Sequence, residues 1–403
     1  MAHVSDEDGM KKPLRSGYTT GACAAAAAKG AAQMLAGQTL VNEVSIDLPA
    51  GVSASFQLHG QRFSTYDSSC FVIKDAGDDP DVTNGAEVWA TVSATPPPLT
   101  GGGWGAGEGA TNNFGGNANI PPTLTLPRKG GGDIFIMGGT GIGKITKPGL
   151  AIPPGEWAIN PVPRRMIEDA VGDVLSTFNL QPSTFNIVIS IPDGEERAKK
   201  TLNQRLGIIG GLSILGTTGI VRPISVKAWT DTIDSALDVA RACDCKTVVL
   251  STGRTSEMAA QEFFTLHPLH FTLPEEAFIM MGDHVAYSLR ACALRGFAQP
   301  IIACQFAKLL KIACGHQNTH AAASELDLAI FRGWTEEAGL PTGIIAIIAN
   351  ANTAREIAIA SGFDTKLMEL VADRAKQAAT LHAPGIAAQP LLCGYDGTIV
   401  WSL

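Results

Sequence analysis

The alternation of apolar and polar positions changes character near residue 225 of this 403-residue chain. Between residues 41 and 95 it has a period of two, typical of β-strands, in the runs VNEVSIDL, ASFQLHG, SSCFVIKDAG and GAEVWATVSA. After Pro223, amphipathic stretches of helical period alternate with short apolar runs, as in DTIDSALDVARACD followed by KTVVLSTG. This second pattern is typical of parallel βαβ units.

These patterns predict both α+β and α/β architecture. We expect an α+β domain with a mixed sheet over residues 1–225, followed by a Rossmann-like α/β domain with a mainly parallel sheet over residues 226–403. The final segment, PLLCGYDGTIVWSL, predicts a hairpin that turns at Asp396-Gly397 and can return to the sheet of the first domain. Residues 96–132 are dominated by Pro and Gly, which predicts a disordered insertion at a surface hairpin.

The segment from residue 14 to residue 37 predicts an alanine-rich helix in the first domain. Thr19 or Thr20 can cap a helix that begins near Gly21, and Gly37 can end it. This helix either only packs against the sheet, or its first turn also binds an anion through free N–H groups and the helix dipole.

Composition and charge narrow the classes of function. Hydrophobic residues make up 45% and charged residues 17% of the chain, which is a globular composition, and the net charge of −8 argues against a nucleic-acid surface. No signal-like leader and no apolar run of spanning length is found, so we expect a cytoplasmic protein without membrane contact. The eight cysteines lack the spacing of a disulfide framework or zinc site, so we expect reduced thiols and no metal centre.

Two glycine-rich stretches are candidates for ligand loops. Residues 194–223 carry five glycines within 13 positions, which indicates either a buried turn or a loop whose backbone faces a ligand. In GGTGIGK, the spacing of Gly138, Gly143 and Lys144 is that of a phosphate-binding loop. However, Ile145 stands where a hydroxyl would hold Mg²⁺, and Pro148 opposes the helix that should follow. A nucleotide-dependent kinase is therefore the weaker alternative.

Other candidate residues lie where loops meet predicted elements. Prolines between residues 153 and 163 predict an extended path ending in Arg164 and Arg165, just ahead of a helix, where guanidinium groups can bind carboxylates. Asp79 lies in an acidic segment that is either a solvated turn or a partner for a polar ligand. In the second domain, ligands should bind beyond the carboxyl ends of the strands, at residues 251–254, at residues 281–283 and after Ile302. His320 is either a structural residue or a catalyst.

Several long motifs in register resemble the cobalt-precorrin-5B C(1)-methyltransferase family, and together they span nearly the whole chain outside the leader and residues 96–132. The motifs are SGYTTGACAAAAAKGAA, DDPDVTNGAE, GGTGIGKITKPGL, GEWAINPVPRRMI, KKTLNQRLGIIGGLSILGTTGIV, MGD and AKLLKIACGHQNTH. The chain departs from the family pattern at Gln305-Phe306, where a glycine is usual.

The resemblance implies methylation of ring carbon 1 of cobalt-precorrin-5B by S-adenosylmethionine, giving cobalt-precorrin-6A on the anaerobic route to cobalamin. Cobalt would enter only as part of the tetrapyrrole substrate, which carries acetate and propionate carboxylates. Methyl transfer requires alignment above all. A corrinoid carrier without catalytic activity is the other alternative, and a homo-oligomer is an open possibility.

We assign three groups of candidate site residues on this basis. Asp283, His320 and Asp79 are candidates for proton transfer or ring polarisation. The methyl donor is expected to contact Gly216, Thr217, Thr218, Gly219, Thr252, Gly253 and Gly282. The substrate is expected to contact Thr19, Thr20, Gly21, Gly141, Lys144, Arg164, Arg165, Arg205 and Arg222.

Overall fold

The computed structural model describes residues 14–95, 133–178, 184–266 and 273–402. The insertion predicted near residues 96–132 lies outside these described residues. The chain divides into two compact units, the first comprising Met1–Thr146 with Pro154–Ile224 and the second comprising Lys147–Pro153 with Ser225–Leu403.

The first unit is built on a five-stranded sheet with two long helices. Its elements are β1 (Gly17–Tyr18), α1 (Thr20–Gly37), β2 (Glu43–Leu48), β3 (Val52–Gln57), β4 (His59–Phe63), β5 (Asp67–Ile73), β6 (Glu87–Thr95), β7 (Ile134–Gly138), β8 (Lys144–Ile145), α2 (Pro161–Thr177), β9 (Thr184–Ser190), α3 (Gly194–Ala198), β10 (Ile208–Ile209) and β11 (Ile220–Val221). The sheet order is β4-β5-β6-β9-β7, in which only β7 and β9 pair in parallel. The predicted mixed sheet is confirmed.

Helix α1 forms the centre of the core of the first unit. Its alanines from Ala22 to Ala28 are each at most 1% exposed, and they pack with strand residues such as Val88 and Ile187. Because alanine has no side chain beyond Cβ, the helix axis can approach the sheet closely without loss of helix propensity. Thr19 is the N-cap, as predicted, and its side chain accepts from the N–H of Ala22.

One helix boundary in the first unit confirms its prediction and another differs. Helix α1 ends at Gly37, as predicted. The left-handed residue that caps it is Gln38 (φ 49°), whose side chain donates to the carbonyl of Leu35 at 2.8 Å and helps to satisfy the helix end. The extended path ends at Asn160, since Pro161 opens α2 in the first-turn position that suits proline. Arg164 and Arg165 therefore lie within the start of α2 instead of ahead of it.

The second unit is a mainly parallel α/β sheet, which confirms the predicted class. Its elements are α4 (Val226–Ala242), β12 (Val249–Ser251), α5 (Arg254–Leu266), β13 (Phe278–Met280), α6 (Val285–Leu294), β14 (Ile301–Gln305), α7 (Phe306–Ala313), α8 (Leu328–Glu337), α9 (Thr342–Asn350), α10 (Ala354–Ala360), α11 (Thr365–His382), β15 (Gln389–Cys393) and β16 (Ile399–Ser402). The strand order is β13-β12-β14-β15-β16, parallel except for the β15–β16 pair.

The C-terminal hairpin corrects one prediction. Strands β15 and β16 form a hairpin around Asp396-Gly397, as expected, but β15 pairs in parallel with β14. The hairpin therefore completes the sheet of the second unit and does not return to the sheet of the first. The apolar residues of β15, which are buried in register with β14, account for this placement.

Candidate active site

The strand order of the second unit indicates where a ligand is expected to bind. Strand β12 lies between β13 and β14, so the chain first crosses to one side of β12 and then returns to the other. In open α/β sheets, ligands bind where the crossing direction reverses, outside the carboxyl ends of the two strands concerned. Here that switch point lies between the ends of β12 and β14, beside Ser251-Thr252-Gly253 and Gln305-Phe306.

Asp283 lies at this edge, just after β13, in a compact polar cluster. Its Oδ1 accepts from Lys308 Nζ at 2.5 Å and from Thr319 Oγ1 at 2.6 Å, while its carbonyl accepts from the N–H of Thr319 at 3.0 Å. Burial by itself would raise the pKa of Asp283, but the hydrogen bonds from Lys308 and Thr319 outweigh it and hold that pKa below its usual range. Asp283 is therefore an ionised anchor for Lys308 and Thr319, a poor arrangement for proton transfer.

His320 follows Thr319 and lies close enough to Asp283 to interact electrostatically with that carboxyl. The imidazole is exposed, and its Nδ1 accepts from the N–H of Ala322 at 3.2 Å. The second ring nitrogen remains available to a ligand. The structure thus brings together two of the three residues predicted for catalysis, and the catalytic role of His320 stays a prediction.

The loop after β12 lies at the same carboxyl-end edge of the sheet and contains a buried polar group. Ser251 is fully buried, and its Oγ has no hydrogen-bond partner among the described residues. The next residues, Thr252 and Gly253, are only half-buried and lead directly into α5. A side chain on Gly253 would meet no atom within 4 Å, so space lies open in front of this backbone. A buried hydroxyl without a partner is costly, which favours a polar ligand or water at this strand end.

Gly282, also predicted to contact the methyl donor, has a different explanation. It adopts a left-handed conformation (φ 59°), and a Cβ there would lie 2.9 Å from the ring of Trp229. The indole Nε1 of Trp229 donates to the carbonyl of Met281 at 3.2 Å. Packing of Trp229 against this turn is therefore sufficient to require glycine at position 282.

In the first unit, polar groups at the start of α1 form hydrogen bonds with another segment of the same chain. The N–H of Gly21 donates to the carbonyl of Leu215 at 3.0 Å, and Thr20 Oγ1 accepts from the N–H of Leu215 at 3.0 Å. Thr19 and Thr20 are buried. These contacts favour a packing role for the first turn, and the predicted contacts of Thr19, Thr20 and Gly21 with substrate stay predictions.

The two glycine-rich stretches pack against each other. Leu212 N–H donates to the carbonyl of Gly141 at 2.9 Å, and a Cβ on Gly211 would overlap that same carbonyl. A Cβ on Gly141, whose φ is +72°, would overlap the carbonyl oxygen of Ile191. Backbone approach within the protein thus explains these glycines. Lys144 begins β8, so the helix required by a phosphate-binding loop is absent and the kinase alternative loses its structural basis.

The glycines of the turn at residues 216–219 are explained by packing within the protein. A Cβ on Gly216 would overlap the side chain of Thr19, and one on Gly219 would lie 2.8 Å from Leu48, so both glycines are required by packing. Thr217 and Thr218 between them are exposed. The hydroxyl of Thr218 is hydrogen-bonded to the backbone of Ile220, and the predicted contacts of all four residues with the methyl donor stay predictions.

The basic residues of the first unit that are predicted to contact the substrate lie in different environments. Lys144 is exposed, and its Nζ lies 4.6 Å above the ring of Trp157. Arg165 is exposed, whereas Arg164 is half-buried and donates weakly to the carbonyl of Ile136 at 3.4 Å. Asn160 provides no side-chain cap to α2, so a positive helix end coincides with both arginines. This start of α2 is suited to a carboxylate.

Two further basic residues and one acid complete the predicted set in the first unit. Arg205 is half-buried and Arg222 is exposed. Asp79 accepts from the N–H of Ile224 at 3.0 Å, which holds the left-handed Ile224 (φ 55°) at the end of the unit. This contact gives Asp79 a structural role, and its assignment to catalysis stays a prediction.

The sequence pattern did not single out Lys308, Lys311 and Thr319, which meet near Asp283 in the structure. The two lysines lie three residues apart in AKLLKIACGHQNTH, a spacing that places both on one helix face. That spacing was the available signal. Their convergence on Thr319 depends on the path of the loop after α7, which the local pattern does not specify.

Comparison with known proteins adds independent findings. The family model for CbiD matches residues 7–223, and the model for the CbiD C-terminal domain matches residues 318–402. A cobalt-precorrin-5B C(1)-methyltransferase of Pelobacter propionicus is 55% identical over 96% of each chain. One of Geobacter sulfurreducens is 53% identical over 97% of this chain and 99% of its own.

A 1.9 Å crystal structure of a cobalamin biosynthesis protein (CbiD) from Archaeoglobus fulgidus covers 81% of this chain and 85% of its own, with 25% identity and a TM-score of 0.36. Within the described ranges of the present structure, no helix is both long and apolar enough to cross a membrane.

Proposed function

This chain belongs to the CbiD family, and we propose that it transfers a methyl group to ring carbon 1 of cobalt-precorrin-5B, giving cobalt-precorrin-6A. The observation that carries the proposal is the identity of 55% over 96% of the chain to a relative named for this reaction. The switch point at the carboxyl ends of β12 and β14 is consistent with this function, since such a point in an α/β sheet is a common binding place for a small-molecule cofactor.

We assign S-adenosylmethionine as the methyl donor and place it at the switch point. Two observations fit a ligand there: the buried hydroxyl of Ser251 has no hydrogen-bond partner in the described part of the chain, and space lies open before Gly253. The N–H groups at the start of α5 suit the donor's carboxylate. When bound, this molecule supplies an electrophilic methyl group on a sulfonium.

The residues of the chain act mainly by binding and orientation. Holding the two reactants in line can lower the barrier by several kcal/mol without any covalent intermediate. Asp283 contributes by fixing Lys308 and the side chain of Thr319, because its carboxylate already accepts hydrogen bonds from both. In the first unit, the start of α2 with Arg164 and Arg165 is proposed to bind a carboxylate of the tetrapyrrole.

An anaerobic assay with purified protein, cobalt-precorrin-5B and S-adenosylmethionine tests the proposal. We expect the mass of the tetrapyrrole to increase by one methyl group, and only when S-adenosylmethionine is present. Binding of the tetrapyrrole without any mass change under these conditions would instead support the alternative of a corrinoid carrier. ATP hydrolysis dependent on Mg²⁺ would revive the kinase alternative.

A further inference from the structure

Helix α7 begins with an excess of positive charge. Its N-cap, Gln305, makes no side-chain capping bond, and the first turn contains no acidic residue. Lys308 lies in this first turn, where the helix dipole already favours an anion over a cation. The start of α7 also follows β14, one of the two strands that flank the switch point.

Lys308 and Lys311 converge on one acceptor. Their Nζ atoms lie 3.0 Å and 3.2 Å from the carbonyl oxygen of the fully buried Thr319. Lys308 also has the carboxylate of Asp283 as a partner, whereas no described carboxylate lies within ion-pair distance of Lys311. Burial and the neighbouring Lys308 both lower the pKa of Lys311. Two ammonium groups and a helix N-terminus are thus balanced by one carboxylate.

We propose that Lys308 and Lys311 together bind a carboxylate of the tetrapyrrole substrate, which deepens the proposed function and rests on it. Both ammonium groups keep N–H donors beyond those used for Asp283 and Thr319, and the two side chains lie on one face of α7, since residues three apart share a helix face. A carboxylate there supplies the missing negative charge. Asp283 is then a positioning residue that holds Lys308 in place for this contact.

Titration of cobalt-precorrin-5B into the protein without a methyl donor, followed by visible absorption, tests the proposal. We expect Lys311→Met to raise Kd roughly tenfold to a hundredfold, the effect of one hydrogen bond between charged groups. Lys311→Arg retains the charge and should stay within about threefold of the wild type. The matched control is Lys246→Met, which removes an exposed lysine at the opposite end of β12 and should leave Kd unchanged.

The outcomes separate this inference from the proposed function. Equal affinities of Lys311→Met and the wild type would overturn the inference, even if methyl transfer is observed. A Kd that depends on the charge at residue 311, with no methyl transfer by the wild type, would instead overturn the proposed function and leave the carboxylate site standing. Thermal melting of each variant, expected to match the wild type, excludes unfolding as the cause.

Discussion

Replacing Asp283 by Asn distinguishes an anchoring role from a catalytic one. The change removes the charge that holds Lys308 but leaves an oxygen able to accept from Thr319. A hydrogen bond between charged groups contributes about 1.5–3 kcal/mol, and exposure permits partial screening by solvent. The side chains of Asp283 and Lys308 are 24% and 31% exposed. We therefore expect the free energy of unfolding to fall by about 1–2 kcal/mol.

Urea unfolding of Asp283→Asn, Lys308→Met and the double variant measures this interaction. The cycle should give a coupling energy of at least about 0.5 kcal/mol, as expected for residues in contact. The pKa of Asp283 lies below its usual range in the folded protein. Its contribution is therefore fully present above about pH 4 and is lost as the pH falls through the lowered value. The difference between wild type and Asp283→Asn should narrow on acidification.

Steady-state kinetics of Asp283→Asn can refute the anchoring role. An anchor that positions Lys308 should, when removed, raise KM for the tetrapyrrole and leave the shape of the pH profile of kcat unchanged. A fall in kcat of about a thousandfold, with unaltered stability and the loss of a limb from the pH profile, would show that Asp283 transfers a proton. That result would contradict the role assigned here.

Two further predictions concern the first unit and are checked by urea unfolding. Gly141→Ala should cost about 2–5 kcal/mol, from left-handed strain and overlap with a backbone carbonyl. The control is Gly210→Ala, because Gly210 is also left-handed (φ 86°) but an added Cβ there would meet no atom within 4 Å. This change should lower the free energy of unfolding by only about 1–2 kcal/mol. Equal losses in the two variants would refute the packing account. Asp81→Asn should cost about 3 kcal/mol or more, because the buried Lys74 loses its carboxylate partner. A cost below about 1 kcal/mol would contradict the stabilising role of this ion pair.

The fold could be predicted largely because the patterns that specify it are local. The period of two in residues 41–95 predicted strands such as β5 and β6, and the alternation after Pro223 predicted the parallel sheet. Thr19 was one of the two residues predicted as the cap of α1. The pairing of β15 with β14 was missed, because a hairpin sequence specifies its turn but not the strand that it joins. Similarly, Pro161 suits either an extended segment or the first position of a helix.

The site was harder to predict because its contacts join distant residues. The glycines at positions 141 and 211 looked like ligand loops, since close backbone approach requires glycine whether the neighbour is a ligand or another strand. Asp283 was predicted to belong to the site, and that assignment stays a prediction; its partners Lys308 and Thr319 lie 25 and 36 positions away along the chain. Its role as an anchor follows from those partners and not from its local sequence.

The central claim is that methyl transfer depends on a donor bound at the switch point of the second unit. The most direct test compares Gly253→Val with the control Gly343→Val in α9, because added side chains at both positions face open space. We expect Gly253→Val to raise KM for S-adenosylmethionine at least tenfold while thermal stability is retained, and Gly343→Val to leave that KM unchanged. An unchanged KM for S-adenosylmethionine in Gly253→Val would contradict this placement of the donor.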